Sequence, residues 1–578
     1  MIFKYWLKLK KQFISESIFH LISSIFYISY PIFLGGMVGS IDPNRTVTAN
    51  INELLLNFML VLIFATLRYI FNRAARFKGA EVSSNAIYSL RTDISNALYR
   101  QSFSYFDKNE TGQLIARATS DVEETTQIFG MGLTLILQST FQLGAIIIGF
   151  IIFGRELIYI ILISVGITFI LSLSIARKLK PIFIETRESF GDLTTTIREN
   201  LIGAQVVRLF STQKKEFQKF LKNNERFYSA SVDSVKYNSL YHPFIQILIG
   251  TLTIFTLFLG GTSIINETMT LNTLITLLSY VVALSFPLIM LGQIMLVYIQ
   301  ADAALTRIRE ILDSTPEIKD LPDAIQITSL KGNLEFDNVS FGYTHNHRIL
   351  KNVSFKIPAG KILAILGTTG SGKSTIINLI PRFYEINDGT IRIDQKNIKE
   401  YLIKDLRRSI GIVSQETFLF DKSIAENIAY GKDNALREEI IEAAKVANLH
   451  DFIISLPKSY DSIVGERGAR LSGGQKQRLS IARALIIKPK ILILDDSTSS
   501  VDVETEFKIQ KALSRIMKRS TTIIITQRLS TIRGADYILI LDRGRVVGFG
   551  AHEELLNSNV LYKQIYETLY QKQRKNKN

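Results

Sequence analysis

The chain has 578 residues, of which 47% are hydrophobic and 21% are charged. This length predicts more than one domain, and the composition excludes disordered, collagen-like and fibrous chains. The absence of cysteine excludes disulfides, iron–sulfur clusters, thiolate metal sites and a cysteine nucleophile. The net charge of +16 suits either nucleic acid or an anionic lipid surface, so the position of the charges decides between these partners.

Six apolar segments in the first half of the chain are long enough to cross a bilayer, which takes about 20 residues as a helix. They run roughly over Glu16–Ile41, Leu54–Phe71, Gly130–Gly154, Leu157–Ala176, Phe244–Ile265 and Leu271–Ile299. Buried helices of a large soluble protein are the alternative. That alternative does not fit the stretch from Tyr241 to Gln300, in which Glu267 is the one charged residue. The sequence therefore predicts the lipid bilayer as a partner and excludes a soluble nucleic-acid enzyme.

Lysine and arginine concentrate near the amino terminus and in two long breaks between the apolar segments. These breaks separate the second segment from the third and the fourth from the fifth. The other breaks contain only Arg45 and Arg155 as basic residues. By the positive-inside rule, the sequence predicts a multi-pass protein of the cell membrane with both termini and both long breaks in the cytoplasm.

The two long breaks have a further property, because no proline occurs between Pro43 and Pro181 or between Pro181 and Pro243. A structureless loop of about 60 residues would be unusual. Helical arms of about 25 residues would instead reach roughly 40 Å from the membrane. The breaks are therefore predicted to form helical hairpins that project into the cytosol and act as levers on a soluble domain.

A phosphate-binding loop is predicted between the strand-like segment Lys361–Leu366 and the helical segment Ile376–Leu379. It fits the pattern G-x-x-x-x-G-K-[ST], in which glycines allow backbone N–H groups to face a phosphate. Lys373 is predicted to reach the β- and γ-phosphates of ATP, and the Ser374 hydroxyl is predicted to bind Mg²⁺. The predicted nucleotide-binding residues of this loop are Gly367, Thr368, Thr369, Gly370, Ser371, Gly372, Lys373, Ser374 and Thr375.

Two further motifs follow the loop in the chain. The apolar run Ile491–Leu494 ends in Asp495 and Asp496. A carboxylate at the end of such a strand is typical of a Mg²⁺ ligand beside a phosphate loop. The other motif, Leu471–Arg478, places a serine and two glycines at the start of a helix, which favours an anion. Its predicted nucleotide-binding residues are Ser472, Gly473, Gly474 and Gln475. A head-to-tail dimer is the simplest way to use both phosphate-binding devices.

Together these motifs resemble those of ATP-binding-cassette half-transporters of the exporter type, over essentially the whole chain. The resemblance implies a multidomain fold. An all-α six-helix transmembrane domain with long cytosolic helical hairpins is followed by an α/β P-loop nucleotide-binding domain. The implied divisions are a transmembrane domain (1–312), a linker (313–332), a nucleotide-binding domain (333–570) and a basic tail (571–578). The implied ligands are ATP and Mg²⁺. The implied partners are a second half-transporter and a small amphipathic substrate, a drug or a lipid.

The resemblance also implies roles for single residues. Tyr343 matches the aromatic residue that stacks on adenine, Gln415 matches the glutamine that senses Mg²⁺, and Asp502 lies in the loop that crosses the dimer interface. The two hairpin tips are expected at Phe106–Gly112 and Arg198–Gly203. The implied catalytic residues are Lys373, Gln415, Asp496 and Gln527, and the implied metal ligands are Ser374, Gln415 and Asp495.

Two positions depart from the family pattern. Asp496 stands in place of a catalytic glutamate. Its shorter side chain withdraws the carboxylate by roughly 1 Å, which can cost about a hundredfold in rate. Gln527 stands in place of a histidine and cannot become cationic near the γ-phosphate. Together these departures resemble the degenerate ATP site of bacterial heterodimeric multidrug exporters. The alternatives are a homodimer in which Asp496 is a slow base, and an ATP-gated channel or regulator on the same scaffold.

Overall fold

The structure is a computed structural model that describes residues 5–6, 8–41, 46–344, 347–495, 517 and 520–575. The chain divides into two compact units. The helical unit comprises the described residues within 1–99 and 110–314, and the sheet unit those within 100–109 and 315–578. A short segment from the first half of the chain, residues 100–109, therefore belongs to the sheet unit.

The first half of the chain forms long helices with short connections. In chain order they are α1 (Lys10–Gly39), α2 (Val47–Tyr99), α3 (Phe103–Lys108), α4 (Thr111–Ala118), α5 (Ser120–Gln127), α6 (Leu133–Phe153), α7 (Ile158–Ile202), α8 (Ala204–Leu209), α9 (Gln213–Ser239), α10 (Tyr241–Ile265), α11 (Leu271–Ala283) and α12 (Ser285–Asp313). The π-helical turn Ile128–Gly132 joins α5 to α6.

Among the described residues, six stretches of helix are long and apolar enough to cross a membrane. They are Lys10–Gly39, Val47–Tyr99, Thr111–Phe153, Arg155–Ile202, Gln213–Ile265 and Leu271–Met295. Continuous helix satisfies the backbone hydrogen-bonding groups that lipid cannot satisfy. Each stretch includes most of one predicted apolar segment, so the prediction of six spans is confirmed.

The two long breaks between apolar segments are helical, as predicted. α2 continues through 53 residues and α7 through 45, both well beyond their apolar parts. Pro181 lies inside α7 without ending it. The lever arms are therefore continuous with the helices that carry the apolar spans.

The two expected hairpin tips coincide with breaks between helices. The short helices at the turns are α3 and α8, whereas the expected segments Phe106–Gly112 and Arg198–Gly203 each run across a helix end. α3 starts after the extended residue Ser102. α8 starts after Gly203, where α7 ends. The first expected tip thus includes the end of α3, and the second ends directly before α8.

Helices α1, α2 and α6 meet at a buried polar contact. Thr134 of α6 donates a hydrogen bond of 2.8 Å to Glu16 Oε1 of α1, and Glu16 is fully buried. Gly79 of α2 permits this approach. A Cβ at residue 79 would lie 2.5 Å from Thr134 Oγ1 and 2.6 Å from Glu16 Oε1. Small residues and buried polar groups together hold such helices where lipid provides no hydrophobic force between them.

The sheet unit contains two sheets. The smaller is antiparallel, in the order β2-β1-β4-β5, and the larger has the order β10-β9-β3-β8-β7-β6. The strands are β1 (Leu334–Phe341), β2 (Leu350–Ile357), β3 (Ile362–Gly367), β4 (Asp388–Ile393), β5 (Lys396–Asn397), β6 (Ile410–Val413), β7 (Ile491–Asp495), β8 (Thr521–Ile525), β9 (Tyr537–Asp542) and β10 (Arg545–Gly550).

Helices follow many of these strands and cover the larger sheet. They are α13 (Lys373–Leu379), α14 (Ile403–Arg408), α15 (Ile424–Ala429), α16 (Arg437–Val446), α17 (His450–Ile454), α18 (Gly473–Leu485), α19 (Leu529–Arg533), α20 (His552–Ser558) and α21 (Val560–Lys575). Strands of this sheet are nearly all apolar because both of their faces are buried; Leu492 and Ile523, for example, are fully buried. The predicted fold class, a helical transmembrane part followed by an α/β domain, is confirmed.

Candidate functional site

Four neighbouring parallel strands of the larger sheet, β3, β8, β7 and β6, end at the same edge. The predicted phosphate loop follows β3, Gln527 follows β8, Asp495 ends β7, and Gln415 follows β6. Asp495 pairs with Ile525, which shows that β7 and β8 end at the same level. Open sheets of this kind bind ligands outside the carboxyl ends of their strands. The structure thus brings residues from four separate sequence motifs to one edge.

The loop between β3 and α13 requires glycine at several positions. Gly370 and Gly372 have φ angles of +79° and +101°, which other residues rarely adopt. A Cβ at residue 372 would also lie 2.6 Å from Leu350 Cδ2. A turn of this conformation directs successive backbone N–H groups toward a common point and forms a concave anion site.

Lys373 begins α13, and its ammonium group folds back over the loop. It donates hydrogen bonds of 2.9 Å to the Gly367 carbonyl oxygen and 2.8 Å to that of Thr368. Burial lowers the pKa of Lys373, while the negative charge of Asp495 acts in the opposite direction. A bound phosphate would offer the ammonium group a charged partner in place of two carbonyl groups.

The other predicted residues of the loop differ in exposure. Ser374 is exposed at the first turn of α13, as are Thr368 and Thr369 before it. Ser371 and Thr375 are buried. The Ser374 hydroxyl is therefore open to a ligand at the strand edge, whereas Ser371 and Thr375 lie within the loop and its helix.

The remaining predicted catalytic and metal-binding residues differ in exposure, and the structure describes only some of them. Gln415 and Gln527 are exposed at the strand edge, and Asp495 is half-buried there. Asp496 and Asp502 lie outside the described residues. The two departures from the family pattern therefore remain sequence-based, and Gln527 is the one whose position the structure gives.

Tyr343 presents an accessible ring near the phosphate-loop helix, and its side chain is 41% exposed. The rings of Phe341 and Tyr384 meet it edge-on, each with a centroid distance of 5.0 Å. Among the described residues, its hydroxyl group makes a single long contact of 3.5 Å, with Thr375 Oγ1. A partly exposed ring that is held by two neighbouring rings is suited to stack on a nucleotide base.

The Ser-Gly-Gly-Gln motif starts α18, as predicted. Ser472 caps the helix, accepting a 3.3 Å hydrogen bond from the Gln475 backbone N–H, while the Ser472 backbone N–H donates to Gln475 Oε1 at 2.9 Å. Ser472 and Gly473 are exposed. No hydrogen bond between described residues connects Ser472–Gln475 to the loop Gly367–Thr375. The structure of one chain therefore leaves the motif available to another molecule.

The tip helix α3 packs within the sheet unit through three kinds of contact. Phe103 stacks on Phe383 with a ring-centroid distance of 4.2 Å. The Tyr384 hydroxyl donates a hydrogen bond of 2.7 Å to Asp107 Oδ2. Lys108 forms a 3.0 Å ion pair with Glu317, which also accepts a hydrogen bond from Ser104.

The sequence analysis missed Phe383 and Tyr384. Their only sequence signal is a pair of adjacent aromatic residues after α13, which is equally typical of a buried core.

A cavity in the helical unit has an unusual lining. It measures about 560 Å³ and is bordered by Arg68, Arg73 and Arg76 together with Ala65, Tyr69 and Asn72, all on α2. The Arg68 guanidinium lies over the Tyr27 ring of α1, 4.2 Å from its centroid. Three cationic side chains on a helix with an apolar span suit an anionic group attached to an apolar molecule.

Comparison with known families agrees with this architecture. Residues 17–288 match the family described as the ABC transporter transmembrane region, and residues 350–499 match the family described as ABC transporter. The chain belongs to the ABC transporter family, and it is a multi-span membrane transporter with an ATPase domain that binds and hydrolyses ATP.

Individual relatives extend over most of the chain. An ATP-dependent lipid A-core flippase of Syntrophus aciditrophicus is 38% identical over 488 residues, which is 84% of this chain and 81% of the relative. A putative multidrug export ATP-binding/permease protein of Bacillus subtilis is 33% identical over 84% of both chains. The solved structure of a bacterial Atm1-family ABC exporter with ATP bound is 28% identical, with a TM-score of 0.86 over 97% of this chain and 98% of that one. The chain therefore has the fold of an ABC exporter, a class that works as dimers.

Proposed function

We propose that the chain is one subunit of an ATP-driven exporter that binds ATP at the carboxyl edge of its parallel sheet. One observation carries this proposal: four strand ends bring the phosphate loop, Gln527, Asp495 and Gln415 to one edge. Lys373 and the loop N–H groups hold the phosphates, and Tyr343 stacks on the adenine. This division of roles uses charge for the phosphates and ring contact for the base.

The oxygen groups at this edge fit a Mg²⁺ ion. Mg²⁺ prefers oxygen ligands, and Ser374, Gln415 and Asp495 offer a hydroxyl, an amide and a carboxylate oxygen. When bound, the ion would neutralise charge on the phosphates. Lys373 adds its ammonium group on the loop side, and Gln415 and Gln527 offer amide groups that orient an attacking water.

In a dimer of this kind the chain would contribute to two ATP sites. It would give a weakened half to the site at its own phosphate loop and an intact half to the site of its partner. Asp496 and Gln527 weaken hydrolysis at its own phosphate loop, whereas Ser472–Gln475 is intact and exposed for use in a partner's site. Asp502 belongs to the loop that would cross between the subunits. A heterodimer with a second half-transporter explains this combination, and a homodimer in which Asp496 acts as a slow base is the alternative.

The transported molecule is proposed to be amphipathic, either a drug or a lipid. The relatives named as a lipid A-core flippase and as a putative multidrug exporter both support this class. The arginine-lined cavity on α2 supports an anionic head group joined to an apolar body.

We further propose that both termini and the sheet unit lie in the cytoplasm. The proposed divisions are a membrane part over 1–312, a linker over 313–332, the cassette over 333–570 and a tail over 571–578.

The test is ATP-dependent transport by the complete complex in inside-out membrane vesicles. The probes are a fluorescent anionic phospholipid and a fluorescent amphipathic dye. We expect ATP to drive uptake of at least one probe, and Lys373→Ala to reduce ATP labelling of this chain. The matched control is Lys361→Ala, because Lys361 is an exposed lysine that pairs with Asp536 at 2.8 Å, in the same unit. Uptake of neither probe, or equal ATP labelling in both variants, would contradict the proposal.

A further inference from the structure

Tyr384 lies between the ring proposed to hold adenine and the tip helix of the first hairpin. Its ring meets that of Tyr343 edge-on, with centroids 5.0 Å apart and planes at 86°. Its hydroxyl group donates a 2.7 Å hydrogen bond to Asp107 of α3. One side chain therefore contacts both groups, all within the sheet unit.

The segment that carries Tyr384 is held firmly from the opposite side. Arg407 donates hydrogen bonds to the carbonyl oxygens of Pro381, at 3.1 Å, and Arg382, at 2.8 Å. Its guanidinium lies over the Phe383 ring, 5.2 Å from the centroid. Phe383 in turn stacks on Phe103 of α3. A side chain on such a fixed segment transmits a displacement of one neighbour to the other, because little of it is absorbed by the backbone.

The hydrogen bond between Tyr384 and Asp107 has a defined direction. Burial raises the pKa of Tyr384, and the bond to the Asp107 carboxylate raises it further. The hydroxyl therefore keeps its proton in neutral solution and donates to a charged acceptor. Bonds of this kind are stronger and more directional than neutral ones.

Tyr343 is the residue of this arrangement whose position a bound base would change. It is 41% exposed, and within the part of the chain that the structure describes its hydroxyl group has one contact, at 3.5 Å from Thr375. A base stacked on the exposed part of this ring would fix the ring and, with it, the contact that it makes with Tyr384. Phosphates bound along the loop Gly367–Thr375 would meet this ring only near its hydroxyl group, which lies 3.5 Å from Thr375 Oγ1.

We propose that Tyr384 is a positioning residue that reports adenine stacked on Tyr343 to the hairpin tip through Asp107. The inference rests on the proposed role of Tyr343 in ATP binding. It goes beyond that role, because it makes the response of the tip depend on the base of the nucleotide as well as on its phosphates.

The experiment uses the absence of native cysteine in the chain. Glu110→Cys places a single thiol at an exposed position two residues after α3. The rate of maleimide labelling is measured in the purified complete complex with no nucleotide, with ATP and with CTP, whose smaller base stacks less. We expect ATP to change the rate by at least about threefold and CTP to change it clearly less.

Two variants then remove the reporting bond. Tyr384→Phe retains the ring without the hydroxyl group, and Asp107→Asn leaves a neutral acceptor at an exposed position. We expect each to abolish most of the ATP effect on labelling, and the double variant to add nothing, because both changes remove the same interaction. The matched control is Tyr401→Phe, which removes a buried hydroxyl that donates to the Ile393 carbonyl oxygen at 3.0 Å in the same unit. It should retain the full effect.

The opposing results are equally specific. An unchanged ATP effect in Tyr384→Phe, additive losses in the double variant, no ATP effect in the parent, or an equal effect of CTP would each overturn the proposal. Labelling by 8-azido-ATP is measured in parallel. Its absence from the parent chain would refute the proposed ATP site itself, and this outcome differs from a failure of the relay.

Discussion

At the scale of single residues, our proposal divides ATP binding between charge and ring contact. Lys373 already donates to two loop carbonyl groups, so a phosphate replaces weaker partners with a charged one. Tyr343 offers a partly exposed ring that is packed against the rings of Phe341 and Tyr384. These contributions come from different strands and can be removed separately.

Tyr343→Ala should weaken ATP binding by roughly tenfold, because base–aromatic stacking contributes about 1–3 kcal/mol. The measurement is a titration of 8-azido-ATP photolabelling of this chain. Tyr343→Phe is the control, since it retains the ring and loses only the long 3.5 Å hydroxyl contact. Equal weakening in both variants would show that the hydroxyl group and not stacking holds the nucleotide.

Some residues of the candidate site could be predicted from the sequence and others could not. The loop Gly367–Thr375 and Asp495 could be placed at the ends of buried strands because their apolar runs and glycines constrain the backbone directly. Tyr384 and Phe383 could not be identified, because their role depends on a tertiary contact with residues far away in the chain. An adjacent pair of aromatic residues has no sequence feature that separates this role from core packing.

At the scale of elements, two features matter most. Close approach of helices affects the stability of the helical unit, and the hairpin tips affect the coupling of transport to ATP binding. The apolar segments predicted the six long helices because length and lack of charge are enough to define a span. The exact ends of α3 and α8, after Ser102 and Gly203, could not be predicted, since they follow from local backbone geometry.

Gly79→Ala should destabilise the helical unit. The added Cβ would meet Thr134 Oγ1 at 2.5 Å and Glu16 Oε1 at 2.6 Å, so the buried hydrogen bond between these residues would have to separate. We expect a loss of about 1–3 kcal/mol, the usual cost of a buried polar group left unsatisfied. The measurement is the temperature of irreversible unfolding in detergent. Gly144→Ala is the control, because an added Cβ there meets nothing within 4 Å; equal losses would contradict the packing argument.

Replacement of residues 102–109 by a glycine–serine linker should uncouple transport from ATP binding. The change removes the Phe103–Phe383 stack, the Asp107–Tyr384 bond and the Lys108–Glu317 ion pair together. Photolabelling by ATP should persist, while probe uptake in vesicles should fall to background. Normal uptake with the linker in place would refute the lever mechanism.

At the scale of the whole molecule, our proposal makes this chain the unequal partner in a heterodimer. Asp496 and Gln527 depart from the family pattern at one site, whereas Ser472–Gln475 remains intact for the other. Such a chain would hold ATP for long periods at its own site and complete rapid turnover at the partner's. Purified alone, it should hydrolyse ATP slowly, and the partner subunit should restore the rate.

The most direct test of this account is the ATPase rate of the complete complex with one of two substitutions in this chain. Asp496→Asn should change the rate by no more than about twofold, because little hydrolysis is lost at a site already weakened by misplacement of its carboxylate. Ser472→Arg should nearly abolish the rate, because a bulky side chain blocks the partner's site. If Asp496→Asn eliminates activity while the chain alone hydrolyses ATP at the full rate, the exporter is a homodimer and the asymmetric account is wrong.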